Sequence, residues 1–273
     1  VGHLLDHHPQ LTLTRPMEVR FITGNDGIAD ALAIATRKPE TGKAKAAARL
    51  AASRIMERWY ERAPEVGLHT SIQRSELMSW CETYVEMSDD DPVGAARWLT
   101  RTIMAQVAEK IGATRWVDTT PANARKADRV EAIYPRSHVI VVHRDGRDVA
   151  ASFVQQEFGP DDVFDALDLW EQRMQRIHRA VQRASTDRVT EIQLVDLVSH
   201  SRSETLERIC TGIDVPVDAT MVAWFDERVT PEGAHHGRWR NDFDADVCAR
   251  IDESYVAACE RLLAAGVSIP AAG

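Results

Sequence analysis

The chain has 273 residues, a formal net charge of −9, and 44% hydrophobic against 27% charged residues. That apolar share excludes disorder as the main state, and no apolar run approaches the ~20 residues that a bilayer-spanning helix needs. The negative balance argues against non-specific wrapping of nucleic acid, so neither a nucleic-acid partner nor a membrane span is expected; the length suits one large domain or two small ones.

Residues 1–9 read as the last turns of a helix stopped by Pro9, which leads to the expectation of further residues upstream of Val1. No charged, then apolar, leader pattern is seen there. Residues 11–14 form a short extended piece, and 28–37, 43–62 and 71–86 read as helices, the second rich in Ala and Arg. A stop at Asp89-Asp90-Asp91 precedes a helix over 92–110, with Asp91 as its cap, Pro92 in its first turn and Gly112 at its end. A short strand at 115–118 and a helix over 122–133 follow. Residues 138–143, His-Val-Ile-Val-Val-His, are the clearest strand, apolar on both faces as a central parallel strand would be. Helices over 147–157 and 161–183, a strand at 189–194, and helices over 204–213, 219–227 and 245–264 complete the pattern, with a Gly- and His-rich loop at 230–244.

Strand and helix in alternation predict an α/β fold with a parallel sheet flanked by helices, carrying a helical insertion at 28–110. Ligands bind outside the carboxyl ends of such strands, which points to residues 118–121 and 143–152. The basic residues are 28 Arg against 5 Lys, which suits a GC-rich, bacterial genome and biases any anion site toward Arg. The four cysteines form no CxxC pair, so reduced thiols in a cytoplasm are expected and no metal site is indicated. His235 and His236 are adjacent, their side chains point apart, and no partner ligand is evident.

The segment Val141-Val142-His143-Arg144-Asp145-Gly146-Arg147-Asp148-Val149-Ala150-Ala151-Ser152 carries the most chemistry. A buried strand delivers Arg144 to a turn at a helix N-terminus, where unpaired N–H groups and the helix dipole favour anions, and Ser152 adds a neutral donor. The plainer reading is an Arg–Asp surface network in which Arg147 and Asp148 cap the helix. This segment resembles the 3′-phosphate-binding motif of sulfotransferases that use 3′-phosphoadenosine 5′-phosphosulfate: an apolar strand, Arg-Asp-x-Arg-Asp-Val, and a Ser eight residues after the first Arg. The resemblance implies that Arg144 and Ser152 bind the nucleotide's 3′-phosphate.

Leu4-Leu5-Asp6-His7-His8-Pro9 followed by Glu18-Val19-Arg20 resembles the stretch after the 5′-phosphosulfate loop in bacterial and tyrosylprotein-type members. It implies Glu18 as catalytic base with Arg20 beside it; on its own Glu18 reads as a solvated loop carboxylate. Asp118-Thr119-Thr120-Pro121 lies where relatives place Lys and Pro, and here the Lys is missing, leaving Arg97 or Arg125 as candidates to replace it. Gly233 to Arg240 resembles the family's C-terminal Gly-x-x-x-Gly-x-Trp-Lys/Arg loop, which implies nucleotide contacts from Gly237, Arg238, Trp239 and Arg240; the alternative is a surface turn with Trp239 packed down as an anchor. On the 161–183 helix Trp170 reads as core, and Glu171 as solvated or a second candidate base ranked below Glu18.

The resemblance implies a single domain over 1–273 with a P-loop-NTPase-like core, and a cytoplasmic enzyme of EC 2.8.2 type. It would transfer a sulfuryl group from 3′-phosphoadenosine 5′-phosphosulfate to a hydroxyl of a carbohydrate, glycolipid or other small acceptor without a metal, leaving adenosine 3′,5′-bisphosphate. The 5′-phosphosulfate loop has no equivalent in these residues and is expected upstream of Val1. The alternative is a 3′-phosphoadenylate-binding or interaction protein with impaired catalysis. A kinase-like phosphotransferase is disfavoured by the lack of a Gly-x-x-x-x-Gly-Lys loop.

Overall fold

The computed structural model describes residues 1–14, 18–37 and 42–269. Its contacts divide the chain into two units, Val1–Ser137 and His138–Gly273.

The first unit opens with α1 (Gly2–Leu5) and β1 (Thr12–Leu13). β1 pairs in parallel with β2 (Trp116–Val117), Thr12 opposite Trp116 and Leu13 opposite Val117. A parallel pair needs a long crossover, and the helical insertion supplies it. After α2 (Arg20–Thr23) its helices are α3 (Ile28–Arg37), α4 (Lys43–Arg54), α5 (Arg74–Met87) and α6 (Pro92–Lys110); α7 (Ala127–Ile133) follows β2. Asp91 caps α6 by accepting from the Gly94 N–H at 2.8 Å, with Pro92 in the first turn. Gly112, at φ +66°, turns the chain out of that helix. Leu99, Ile103 and Val107 repeat every four residues on the buried face of α6, against Ile28 and Leu32 of α3, Ala48 and Ala51 of α4 and Leu77 of α5. The α-helix expected to run to Arg62 instead widens at Arg54 into a π turn, Ile55–Trp59, closed by Tyr60 N–H donating to the Ile55 carbonyl at 2.9 Å. Such turns rotate the residues beyond them out of α register.

The second unit pairs β3 (Val139–His143) in parallel with β4 (Val189–Gln193), in register from Val139–Val189 to His143–Gln193. The expectation that this strand is covered on both faces is corrected by Val142, which is 39% exposed. Around the pair lie α8 (Gly146–Phe153), α9 (Val163–Val181), α10 (Arg202–Gly212), α11 (Ala219–Arg228), α12 (Trp239–Asp242) and α13 (Ala245–Ala264). The four-residue α12 lies within the expected 230–244 loop. Ala150 and Ala151 of α8, Ala166, Trp170 and Met174 of α9, and Ile251, Tyr255 and Leu262 of α13 form its core. Trp170 is core, as read from the sequence. Among the described residues no helix is long and apolar enough to cross a membrane.

Gly146, the first residue of α8, lies under the Trp170 indole, where a Cβ would stand 2.6 Å from the ring. Gly146→Ala gains at most ~1 kcal/mol of helix propensity. The overlap with a buried ring on another helix costs about 1–3 kcal/mol, so a net loss is expected in the urea unfolding midpoint. An unchanged midpoint would show that Trp170 moves aside without cost.

Candidate functional site

In the second unit the site is built on the β3–α8 junction. Asp145 caps α8, accepting from the Arg147 N–H at 2.8 Å. It also takes two hydrogen bonds from the Arg147 guanidinium, which reaches Asp252 of α13 as well. That guanidinium stacks between Trp239, at 5.0 Å, and Tyr255, at 4.4 Å. Burial works against its charge, but the two carboxylates outweigh that and hold its pKa above the usual arginine value. Arg147 is thus a buried strut joining α8, α12 and α13; it pairs with Asp145 as an Arg–Asp network would, but inside the unit and not at its surface.

Arg144 sits differently. One terminal nitrogen donates to the His235 carbonyl at 3.1 Å and lies 3.9 Å from an Asp148 oxygen. Its Nε is buried without a hydrogen-bond partner. Asp148 and Ser152, four apart, lie on one face of α8, and Arg144 stands in the turn just before the helix. Ser152 is half-buried there.

Asp148, read from the sequence as a helix cap beside Arg147, does not cap α8, since Asp145 does. The Asp148 carboxylate is fully buried and accepts the Gly237 N–H at 2.9 Å and the Trp239 N–H at 3.3 Å. It therefore pins the 230–244 loop to α8. Gly237, at φ +73°, takes the left-handed backbone that this turn requires. Trp239 is 2% exposed, an anchor beneath the loop, with the Arg240 guanidinium over its ring at 4.6 Å. Arg238 donates to Gln155 and, at 3.1 Å, to Asp242. The loop's backbone N–H groups at 237 and 239 are engaged by Asp148; the Arg240 side chain is exposed, and Arg238 is half-buried against Gln155 and Asp242. Glu171, weighed as a second base, accepts a bidentate pair of hydrogen bonds from the Arg261 guanidinium of α13, at 3.0 and 2.6 Å. It belongs to the α9–α13 packing.

In the first unit Leu4 and Leu5 are buried, and Asp6 accepts the Leu13 N–H at 2.6 Å, fixing the start of β1. Glu18 is paired with Arg20 through the guanidinium Nε and a terminal nitrogen. The backbone between them is set by Asp118 at the end of β2. Its Oδ1 accepts the Val19 N–H at 2.9 Å and the Thr120 N–H and hydroxyl at 3.0 and 2.7 Å, and its Oδ2 accepts from Asn123 at 2.8 Å. Asp118 thus fixes the backbone beside Glu18, a role that the sequence reading of 118–121 as a ligand-binding strand end did not include. Arg97 donates its Nε to the Ala132 carbonyl at 2.8 Å, tying α6 to α7. Lys126, the lysine nearest to Thr119, is 2.8 Å from the Thr23 carbonyl and 2.7 Å from Asp30. Burial lowers its pKa below the usual lysine value despite the Asp30 carboxylate; it holds the end of α2.

Glu18 and Arg20 lie beside a small, largely apolar crevice of about 20 Å³, lined also by Phe21, Trp59, Arg62, Leu68, Met104 and Val107. The first unit thus sets a carboxylate beside a small apolar crevice, and the second sets an arginine with an unpartnered donor just before a helix N-terminus.

A model described as the Sulfotransferase family matches residues 1–219, a span that includes both Glu18 and the Arg144 to Ser152 segment. No curated protein matches. Among solved structures the chain is similar to the sulfotransferase domain from the curacin biosynthetic pathway, with TM-score 0.50 and 16% identity over 80% of this chain and 84% of that one. It is also similar to the sulfotransferase domain from the Synechococcus PCC 7002 olefin synthase, with TM-score 0.52 and 14% identity over 98% of this chain and 89% of that one. The family match extends over most of the sequence and the solved folds agree with it: the chain belongs to the sulfotransferase family.

Proposed function

We propose that this transferase moves a sulfuryl group from 3′-phosphoadenosine 5′-phosphosulfate to the hydroxyl of a small acceptor, with Glu18 as general base, on a single P-loop-NTPase-like domain. The observation that carries the nucleotide assignment is the buried, unpartnered Nε of Arg144 at the mouth of α8, a donor with nothing to donate to. A phosphate oxygen suits that donor, since a charge-assisted bond to a planar guanidinium is among the stronger hydrogen bonds. Ser152 would add a neutral donor, and Arg238 and Arg240 would face the same anion from the loop. Gly237 and Trp239 would act through the loop's conformation.

When bound, the donor supplies the sulfuryl group and a bisphosphate leaving group. Glu18 would accept the proton of the attacking hydroxyl, with Arg20 holding its carboxylate in place. Binding at the far phosphate would help to align the reacting atoms.

The test is calorimetric titration of adenosine 3′,5′-bisphosphate into the protein, including any residues upstream of Val1, with AMP as control. Binding at least ~10-fold tighter than AMP is expected from one charged hydrogen-bonded contact of about 1.5–3 kcal/mol. Equal affinity for the two would overturn the 3′-phosphate assignment.

A further inference from the structure

The β3–α8 junction has less positive charge to offer an anion than its arginines suggest. Arg147 is matched by Asp145 and Asp252, and Arg238 by Asp242. Arg144 has a terminal nitrogen 3.9 Å from Oδ2 of Asp148, a carboxylate with no exposure to solvent. One guanidinium beside one buried carboxylate sums to no net charge, so a phosphate held there gains from directed donors more than from the field. The same Oδ2 has a further neighbour: Nδ1 of His236 stands 3.8 Å from it, within ion-pair reach and too long for a hydrogen bond. The backbone on both sides sets this ring. The His235 carbonyl accepts from Arg144 at 3.1 Å, and the Gly237 N–H donates to Asp148 at 2.9 Å. The His236 side chain is 40% exposed and makes no hydrogen bond among the described residues, so its Nε2 is unengaged.

We propose that His236 is a further residue of the 3′-phosphate site and binds as the imidazolium, with Nδ1–H toward Asp148 and Nε2–H donating to the phosphate that Arg144 holds. The inference rests on the reading of Arg144 as a phosphate ligand and adds a proton to that site. Imidazole is the side chain that ordinarily gains its charge near neutral pH. The charged groups facing this ring from the β3–α8 turn, α8 and α12 are Arg144, Asp148 and Arg240, whose guanidinium lies 3.6 Å from where a Gly237 Cβ would stand. A phosphate adds negative charge to that set, and negative charge beside an imidazole favours its protonated form. Binding of the bisphosphate therefore takes up a proton, and by linkage its affinity rises as pH falls through the imidazole range. AMP has no 3′-phosphate to place there and shows neither effect.

The experiment is calorimetric titration of adenosine 3′,5′-bisphosphate, with AMP as control, into wild type and His236→Gln. It is run in buffers of different ionisation enthalpy, whose comparison gives the protons taken up. Glutamine keeps a donor of similar reach and cannot carry the charge. At about pH 7 the wild type is expected to take up about half a proton more than His236→Gln on binding the bisphosphate. The phosphate's own protonation is common to both proteins and cancels in that difference. His236→Gln should weaken bisphosphate binding by about 5- to 20-fold at about pH 6.5 and by about twofold or less at about pH 8.5, because the charge is what is lost. AMP affinity should change by no more than about twofold at either pH. Equal proton uptake in the two proteins, or bisphosphate affinity unchanged in the variant at the lower pH, would overturn the inference and leave Arg144 as the phosphate ligand. So would equal weakening of the two nucleotides, which would make His236 a support for the loop. Wild-type affinity that is the same for the bisphosphate and AMP would overturn the underlying reading, and the inference with it.

Discussion

Replacing Arg144 with alanine is expected to weaken adenosine 3′,5′-bisphosphate binding by about 10- to 100-fold while changing AMP affinity by no more than about twofold. The estimate follows from one or two hydrogen bonds between a guanidinium and a phosphate, each about 1.5–3 kcal/mol, reduced by screening at a side chain that is 29% exposed. Comparing both nucleotides on both proteins isolates the coupling between Arg144 and the 3′-phosphate, as a double-mutant cycle does. The fold should tolerate the change. Asp148 keeps its two backbone donors from Gly237 and Trp239, so its carboxylate is not stranded when Arg144 goes. Arg144→Lys should fall between wild type and alanine, because it restores charge without the planar fork. If both nucleotides weakened equally, Arg144 would be supporting the loop through the His235 carbonyl and not reading the phosphate.

This division between Arg144 and Arg147 shows what the sequence could and could not convey. The two arginines are three residues apart in one motif, yet one is a strut sandwiched between aromatic rings and the other carries an unsatisfied donor. Local signals were legible: the Asp91 cap, the Gly112 stop and the apolar run of β3 depend on neighbours within a few residues. Roles set by distant partners were not. Asp148 acquires its role from N–H groups 89 and 91 residues away, and Glu171 is occupied by an arginine 90 residues on. The π turn at Ile55–Trp59 was also hidden, because its residues read as ordinary helix formers. Glu18 was reached through resemblance alone; only the fold reveals the Asp118 carboxylate that fixes the backbone beside it and the apolar crevice next to it.

Glu18→Gln is expected to lower kcat by about 100-fold or more and to leave bisphosphate affinity within about threefold. A positioned general base contributes about 10²–10⁴-fold, and glutamine keeps the size and one acceptor oxygen of the side chain while losing its capacity to take a proton. The amide also loses the ion pair with Arg20, whose partners are 27% and 42% exposed, so the stability cost should be under about 1 kcal/mol. Folding is therefore not the confounder, and the unfolding midpoint serves as the control. Asp118→Asn provides the contrast. It retains an acceptor for the Val19 N–H but weakens the cluster that also includes Thr120 and Asn123, so a smaller loss in kcat is expected, recovered in part with acceptors that are already ionised at the assay pH. An ionised phenol should likewise rescue Glu18→Gln, because no proton then has to be removed. A variant that stays fully active with neutral alcohols would remove Glu18 from the mechanism. A variant that is inactive with ionised acceptors as well would recast Glu18 as a residue that orients the acceptor and takes no proton from it.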